Sequence, residues 1–172
     1  WQWYTRDEAL DAVNVVAQGR DRQVGIVDRP DQMVLFVTLD KRGRPEAQRY
    51  EDRFLSPTEF QWQSQNRNTQ QSELGQKIRH HQERGIPVHL FVRRQAKLGG
   101  TTQPFLYAGT LEFQRWEGEK PITVWWRMEE PVPEGMMPTA ASSLMARPER
   151  AWKKPLLISF SVPSPPTPMS RS

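Results

Sequence analysis

The chain has 172 residues, which is enough for one domain with a substantial core but short for two. Lysine and arginine exceed aspartate and glutamate by 24 to 20, and a net charge of +4 suits a nucleic acid better than an acidic partner. Cysteine is absent, which excludes disulfide bonds, thiolate zinc sites and a cysteine nucleophile.

Two segments have the composition and the end signals of α-helices. Thr5 and Glu8 have the spacing of a capping box and predict a first helix that ends at about Gln18. The apolar residues in this segment follow helical spacing, so one face should pack on the core. A second helix is predicted to begin near Ser72 and Gly75 and to end before Gly85, at about residue 84.

Strands are predicted at residues 23–27, 33–39, 87–93, 105–115, 122–128 and 156–162. The polar residues 40–48 and the glycine-rich, basic residues 95–103 are predicted as loops. Residues 131–155 contain several prolines and should wrap the surface, and residues 163–172 form a proline-rich flexible tail. We therefore predict one α+β domain over residues 1–162, built as a bent mixed sheet or a partly open β-barrel with two main helices.

The first residues of the sequence and the lengths of its apolar runs suggest the cellular compartment of the domain and its relation to a larger protein. No apolar run is long enough to span a bilayer, and no charged-then-apolar leader opens the chain, so we predict a cytoplasmic location and no membrane partner. The sequence begins with Trp1 rather than Met, and we expect it to be an excised part of a larger enzyme.

A metal-dependent nuclease of the restriction type is the sharpest enzymatic alternative. Such a site needs two acids and a lysine converging on Mg²⁺. The candidates are Asp52, Glu59, Glu112 and Lys120, but no strand carries an acid–x–Lys pair after a suitable acid. We therefore predict no catalytic residue and no metal or other cofactor.

The histidines give little support to a metal site. His80 and His81 are adjacent and should point to different sides of a helix, and His89 is the third histidine of the chain. We predict that they are ordinary surface or edge residues.

Aromatic and amide side chains are concentrated in the string FQWQSQNR at residues 60–67. Amides can read adenine edges, carboxylates can accept from the amino group of cytosine, and aromatic faces can stack on an unpaired base. The alternation of Phe60 and Trp62 fits the core side of a strand equally well. The candidate base pocket comprises Tyr50, Asp52, Phe60, Trp62, Ser64, Gln65, Asn66, Tyr107 and Trp125.

A second set of candidates is basic. If the second helix lies beside the strand at residues 87–93, its cations could form one strip along a phosphate backbone. Scattered cations that merely solvate the surface are the alternative. The candidate phosphate-binding residues are Arg67, Lys77, Arg79, Arg93, Arg94 and Lys97.

These same segments resemble a domain of unknown function found at the C-terminus of bacterial helicases of restriction-like systems, which often carry a phospholipase-D-type nuclease domain at the other end. Gly75 and His81 also belong to the pattern. The matching strings are LFVTLDK at 35–41, YED at 50–52, FQWQSQN at 60–66, LFVR at 90–93, FLYAG at 105–109, PITVWW at 121–126 and PVP at 131–133.

The resemblance implies a module that recognises DNA, with the helicase and nuclease domains elsewhere in the same polypeptide. By analogy of fold alone, a bent sheet with aromatic residues and one acid at its mouth is similar to the PUA-like and SRA-like readers of modified bases. We therefore predict a non-catalytic module that binds duplex DNA and recognises a base, modified or flipped out of the duplex, for a restriction or defence enzyme. A nucleic-acid hydrolase and an interaction domain that docks onto its own helicase remain as alternatives.

Overall fold

The computed structural model describes residues 2–41 and 52–138. Tyr50, the strand predicted at 156–162 and the proline-rich tail at 163–172 lie outside the described residues. The loop predicted at 40–48 and the proline-bearing segment at 131–155 lie partly outside them.

The first helix, α1 (Arg6–Ala12), begins with the capping box that the sequence predicts. Glu8 N donates to Thr5 Oγ1 at 3.2 Å, and Thr5 N donates to Glu8 Oε1 at 2.8 Å. The helix is shorter than predicted, because Asn14 adopts a φ of 66° that is incompatible with continuing it. The chain continues into a short 3₁₀ helix at Gly19–Arg22.

The second helix, α2 (Glu73–His80), begins at Ser72, whose side chain accepts a hydrogen bond from Gly75 N at 3.1 Å. It ends four residues before the predicted position, and turns follow as far as Gly85. Ile78 is its fully buried residue of large volume, and it anchors the helix on the main core.

The strands form a mixed sheet, as predicted. Its order is β2-β3-β6-β9-β10-β5-β4, with β1 paired to β9. β3 and β6 are parallel, and the other pairs of this sheet are antiparallel. The sheet is not closed into a barrel, because β2 and β4 stand at opposite ends of the strand order. The strands are β1 (Trp3–Tyr4), β2 (Ile26–Arg29), β3 (Gln32–Thr38), β4 (Arg53–Ser56), β5 (Glu59–Gln63), β6 (Val88–Arg93), β9 (Phe105–Glu117) and β10 (Thr123–Met128).

Residues 97–102, predicted to be a loop, form a hairpin instead. β7 (Lys97–Leu98) pairs with β8 (Thr101–Thr102) in a separate two-stranded sheet. Gly99 and Gly100 connect the strands with φ angles of 58° and 83°. Two successive positive φ angles define the tight turn that matches the twist of a hairpin, and glycine adopts them without strain.

The two faces of the sheet bury two separate clusters of apolar side chains. Along β3, Leu35 and Val37 join the main core, whereas Val34 and Phe36 join a second core. This alternation follows from the two-residue period of a strand. The second core packs beneath α1 through Leu10, which is 1% exposed. The face of the sheet that α1 covers is therefore opposite to the face that α2 covers.

β9 runs through both halves of the sheet and changes direction along its length. Its first part pairs with β6, as far as Thr110, and its second part pairs with β10, from Leu111 onward. The register shifts once within each pairing, and Gly109 has a φ of 97°. Such bulges bend a strand and increase its local twist. This bend gives the sheet its curvature.

Two histidines are buried, so the prediction of surface or edge positions is wrong for them. His81 accepts a hydrogen bond from Phe113 N at Nε2 and lies 2.9 Å from Ile86 O through Nδ1. Nδ1 therefore carries the proton that is donated to Ile86, and burial lowers the pKa of His81. His89 is 4% exposed and lies 3.1 Å from the Tyr107 hydroxyl. Backbone and hydroxyl partners explain why both imidazoles tolerate burial.

Candidate functional site

A cavity of about 140 Å³ lies at the carboxyl ends of the two parallel strands, β3 and β6. This volume is below the ~300–1,000 Å³ of pockets for drug-sized ligands, so the space suits a single ring or a few water molecules. Its lining comes from both halves of the sheet and from the segment before β2. The lining residues are Arg6, Gln23, Val24, Gly25, Ile26, Phe36, Val37, Thr38, Lys41, Asp52, Trp62, Gln63, Gln65 and Arg93.

Two aromatic residues line this cavity from different strands. Phe36 comes from β3 and Trp62 from β5, and these strands lie in different halves of the sheet. Trp62 is 5% exposed, and its ring also packs in the main core against Trp126. The indole is therefore held rigidly while part of it borders the cavity.

A buried ion pair forms part of the cavity wall. Lys41 Nζ donates to Asp52 Oδ2 at 2.6 Å, and the side chains are 9% and 6% exposed. Gln63 N donates to the other carboxylate oxygen, Oδ1, at 2.8 Å. Burial raises the pKa of Asp52, against the opposing effects of Lys41 and the Gln63 hydrogen bond. A carboxylate in such a position remains available to a ligand that donates hydrogen bonds.

The other charged residues in the described lining are two arginines, Arg6 and Arg93, and each donates hydrogen bonds to oxygen atoms of the protein. Arg6 Nη1 donates to Val24 O at 2.6 Å, and its guanidinium lies 4.3 Å from the Phe36 ring centroid. Arg93 Nε donates to Thr38 Oγ1 at 2.9 Å, and its Nη1 donates to Gln103 O at 3.0 Å. Among the described residues that line the cavity, these and Lys41 make three cations against the single carboxylate of Asp52. This described part of the lining is therefore net positive.

The cavity brings together three residues of the predicted base pocket, namely Asp52, Trp62 and Gln65. Asn66 follows Gln65 directly and is exposed. The others that the structure describes are placed elsewhere. Phe60 is fully buried in the main core, and Tyr107 is buried in the second core.

Ser64 and Trp125 also lie away from the cavity lining. Ser64 is fully buried and accepts a hydrogen bond from Ile122 N at 2.9 Å, so it joins β5 to the start of β10. Trp125 is half-buried on the opposite side of its strand from Trp126, and the Arg115 guanidinium lies 3.7 Å from its ring centroid. Both side chains therefore contact residues in or next to a neighbouring strand, and neither lines the cavity.

The predicted phosphate-binding residues differ in exposure and in their partners within the protein. Arg67, Arg79 and Lys97 are exposed, whereas Arg93 is buried in the cavity wall. Lys77 makes an ion pair with Asp28 and also donates to Arg29 O. Arg94 Nη1 donates to Gly135 O at 2.7 Å.

Several residues of the cavity were missed by sequence reasoning, notably Arg6, Lys41 and Gln63. Lys41 lies three residues after β3, and its partner Asp52 lies just before β4, so only the folded sheet brings them together. Gln63 belongs to the amide-rich string FQWQSQNR at residues 60–67, in which Gln65 is one of the predicted base-pocket residues. The sequence around Arg6 indicates the start of a helix and has no feature that would indicate a binding residue.

Among residues 2–41 and 52–138, no group of three or more histidine or acidic side chains is placed to hold a metal ion. Over the same ranges, each helix is too short or too polar to traverse a bilayer.

The fold and the cavity define a class: a small α+β domain with a bent, open mixed sheet and a polar cavity at the ends of its parallel strands. A family model, "Domain of unknown function (DUF3427)", matches residues 1–139, and the chain belongs to this family. No curated protein matches the chain. Among solved structures, the chain is similar to the "DNA recognition domain of the cytosine modification-dependent restriction endonuclease LpnPI". The two are 10% identical with a TM-score of 0.38, over 76% of this chain and 81% of that one.

Proposed function

We propose that this domain is a non-catalytic DNA-binding module that holds a single base, turned out of the duplex, in the cavity between β3 and β5. The observation that carries the proposal is the lining itself, which combines aromatic side chains with a buried carboxylate and net positive charge. We further propose that the module serves a DNA-cleaving helicase of the restriction type, in the same polypeptide.

The chemistry of the lining matches the edge and faces of a nucleobase. The Asp52 carboxylate can accept a hydrogen bond from the exocyclic amino group of a base. Each of its oxygens has a lone pair beyond the one used by Lys41 Nζ or by Gln63 N. The amide groups of Gln63 and Gln65 can both donate and accept. Trp62 supplies an aromatic surface against which a ring can pack. Cytosine or adenine, with or without a modification, fits these groups through its exocyclic amino group.

Charge supports binding of the phosphate backbone beside the cavity. Arg67 is exposed and lies two residues beyond Gln65, on the segment that leaves the cavity wall. Contacts between such cations and phosphates release counterions, so affinity should fall steeply as salt rises. Binding that depends weakly on salt would contradict this part of the proposal.

The free energy needed to turn a base out of the duplex depends on how well that base is paired, so it can be changed by the choice of DNA. Unstacking and unpairing a base costs a few kcal/mol, and less when the base is mismatched. If the cavity holds a flipped base, a duplex with one mismatch should bind about tenfold more tightly than the fully paired duplex. A fluorescent base analogue at the same position should brighten on binding as it leaves the stack.

The experiment is a titration by fluorescence anisotropy at two salt concentrations, with duplexes of one sequence carrying plain or modified cytosine or adenine. Gln65→Ala should weaken binding and reduce the preference for the mismatch. Gln114→Ala is the matched control, because Gln114 is exposed on β9 and, among the described residues, bonds to the neighbouring Glu112 and Phe113 carbonyls alone.

Three results would overturn the proposal. Equal affinity for all of these duplexes, unchanged by Gln65→Ala in a folded protein, would remove the role of the cavity. Metal-dependent cleavage of DNA by the isolated chain would favour a hydrolase. Failure to bind DNA at low salt, together with tight binding to a separated helicase domain, would favour an interaction domain.

A further inference from the structure

The β7–β8 hairpin stands apart from the main sheet. Within the part of the chain that the structure describes, its two strands pair only with each other, Lys97 with Thr102 and Leu98 with Thr101. Gln103 N donates to Ala96 O at 2.9 Å and closes the base of the hairpin. Lys97, Thr101 and Thr102 are exposed, as are both glycines of the turn. This ribbon contributes to neither core.

The base of the hairpin lies next to the cavity. Arg93, which lines the cavity, lies three residues before Ala96 at the base of the hairpin, and its guanidinium donates to Gln103 O at 3.0 Å. On the other side, Leu39 N donates to Arg93 O at 2.9 Å and Asp40 N donates to Arg94 O at 2.7 Å. The backbone that leads to Lys41 is therefore joined to the base of the hairpin. A duplex that presents a base to the cavity would lie against this ribbon.

The dimensions of the ribbon fit the major groove of DNA. Three residues per strand separate the closing hydrogen bond from the tip, which gives a projection of about 10 Å at roughly 3.3 Å per residue. The major groove is about 12 Å wide and about 8.5 Å deep and admits a two-stranded ribbon, whereas the minor groove is only about 6 Å wide. Residues 96–103, which form the hairpin, contain no acid, and Lys97 is their one cation and is exposed. The charge of the hairpin is therefore compatible with DNA.

We propose that the β7–β8 hairpin enters the major groove of duplex DNA next to the base held in the cavity. Lys97 contacts a phosphate at the groove edge, and the Thr101 hydroxyl, which lies next to the turn and on the opposite face of the ribbon from Lys97, lies against base edges. This inference rests on the proposed function, and it adds a second recognition element that is separate from the cavity.

Site-specific crosslinking tests the inference, and the absence of cysteine from the chain makes the design simple. Thr101→Cys introduces a unique thiol near the tip. The DNA carries a disulfide-activated tether on the cytosine amino group, which points into the major groove, or on the guanine amino group, which points into the minor groove. We expect crosslinking to the major-groove tether. Gln114→Cys, on the exposed part of β9, should give no crosslink with either DNA.

Lys97→Ala provides a second measurement that does not depend on a tether. It should weaken DNA binding several-fold for every sequence and reduce the slope of log affinity against log salt by about 1. The preference for a mismatch should persist, because the cavity is unchanged.

The outcomes separate the hairpin from the cavity. Crosslinking only from the minor groove, or none from either groove while DNA is bound, would overturn the role of the hairpin and leave the cavity proposal intact. An unchanged salt slope for Lys97→Ala would contradict the phosphate contact. Absence of DNA binding by the unmodified protein would overturn both proposals.

Discussion

Lys41 and Asp52 place opposite charges where water has little access. Removing two ions from water costs several kcal/mol per ion, and their mutual attraction only partly offsets that cost. The pair is therefore a weak source of stability, although each partner depends strongly on the other. Its position in the wall of the cavity accounts for its presence better than stability does.

We expect Lys41→Met to lower the free energy of unfolding by about 3 kcal/mol, because it leaves the Asp52 carboxylate buried without its cation. The double variant Lys41→Met/Asp52→Asn should lose less, about 1 kcal/mol. The asparagine oxygen can still accept from Gln63 N, and no net charge is buried. Urea denaturation of both variants measures the difference. Equal losses would show that the pair is not coupled.

His89 makes stability depend on pH. Burial lowers its pKa to about 4 from an ordinary value of 6.5. The unfolded chain therefore binds a proton below pH 6.5 while the folded chain does not, so stability is fully present above pH 6.5. It declines as the pH falls toward 4, by about 3 kcal/mol in total.

His89→Gln keeps a partner for the Tyr107 hydroxyl but does not titrate. Its free energy of unfolding should change less between pH 6.5 and 4 than that of the unsubstituted protein, as measured by urea denaturation at a series of pH values. Part of the slope should remain, because burial also lowers the pKa of His81. Superimposable pH profiles would refute the assignment.

At the scale of elements, the segments with strong local signals were predicted well. The capping box at Thr5, the β-branched strand β3 and the strands β6, β9 and β10 are all found, with shifts of a few residues at their ends. Each has a hydrophobic pattern or an end signal that acts over a short stretch of chain.

Other elements depend on distant partners. β5 contains Phe60 and Trp62, whose alternation fits the core side of a strand and a base pocket equally well, so the sequence left both interpretations open. The parallel pairing of β3 with β6 joins residues more than 50 positions apart and has no local signature. The hairpin β7–β8 does have a local signature in the sequence, because two glycines separate its short strands. The candidate site was predicted in part, through Asp52, Trp62 and Gln65.

The capping box of α1 should contribute measurably to stability. Thr5→Ala removes the hydroxyl that accepts from Glu8 N, and we expect a loss of about 1 kcal/mol in the free energy of unfolding. Thr5→Ser retains the hydroxyl and is the matched control. Thermal denaturation followed by circular dichroism compares the two, and equal effects would mean that the cap contributes nothing.

For the molecule as a whole, the two cores share the strands that separate them. Adjacent residues of β3, such as Leu35 and Phe36, belong to different cores. Loss of packing on one face should therefore disturb the backbone that supports the other face. The domain should unfold in one cooperative transition.

We expect Leu10→Ala in the second core and Ile78→Ala in the main core each to lower stability by about 2–5 kcal/mol. Both should shift the same single transition, whether it is followed by tryptophan fluorescence or by far-ultraviolet circular dichroism. Two separable transitions in either variant would show that the faces fold independently.

The bend in β9 connects the two walls of the cavity mechanically. Phe36 reaches β9 through β6, whereas Trp62 reaches it through β10, and Gly109 lies close to the point where β9 passes from one half of the sheet to the other. Because each ring also packs in a core, a change in the bend that moved Phe36 relative to Trp62 would disturb packed side chains. The cavity should therefore favour a ligand of one fixed thickness over thicker ones.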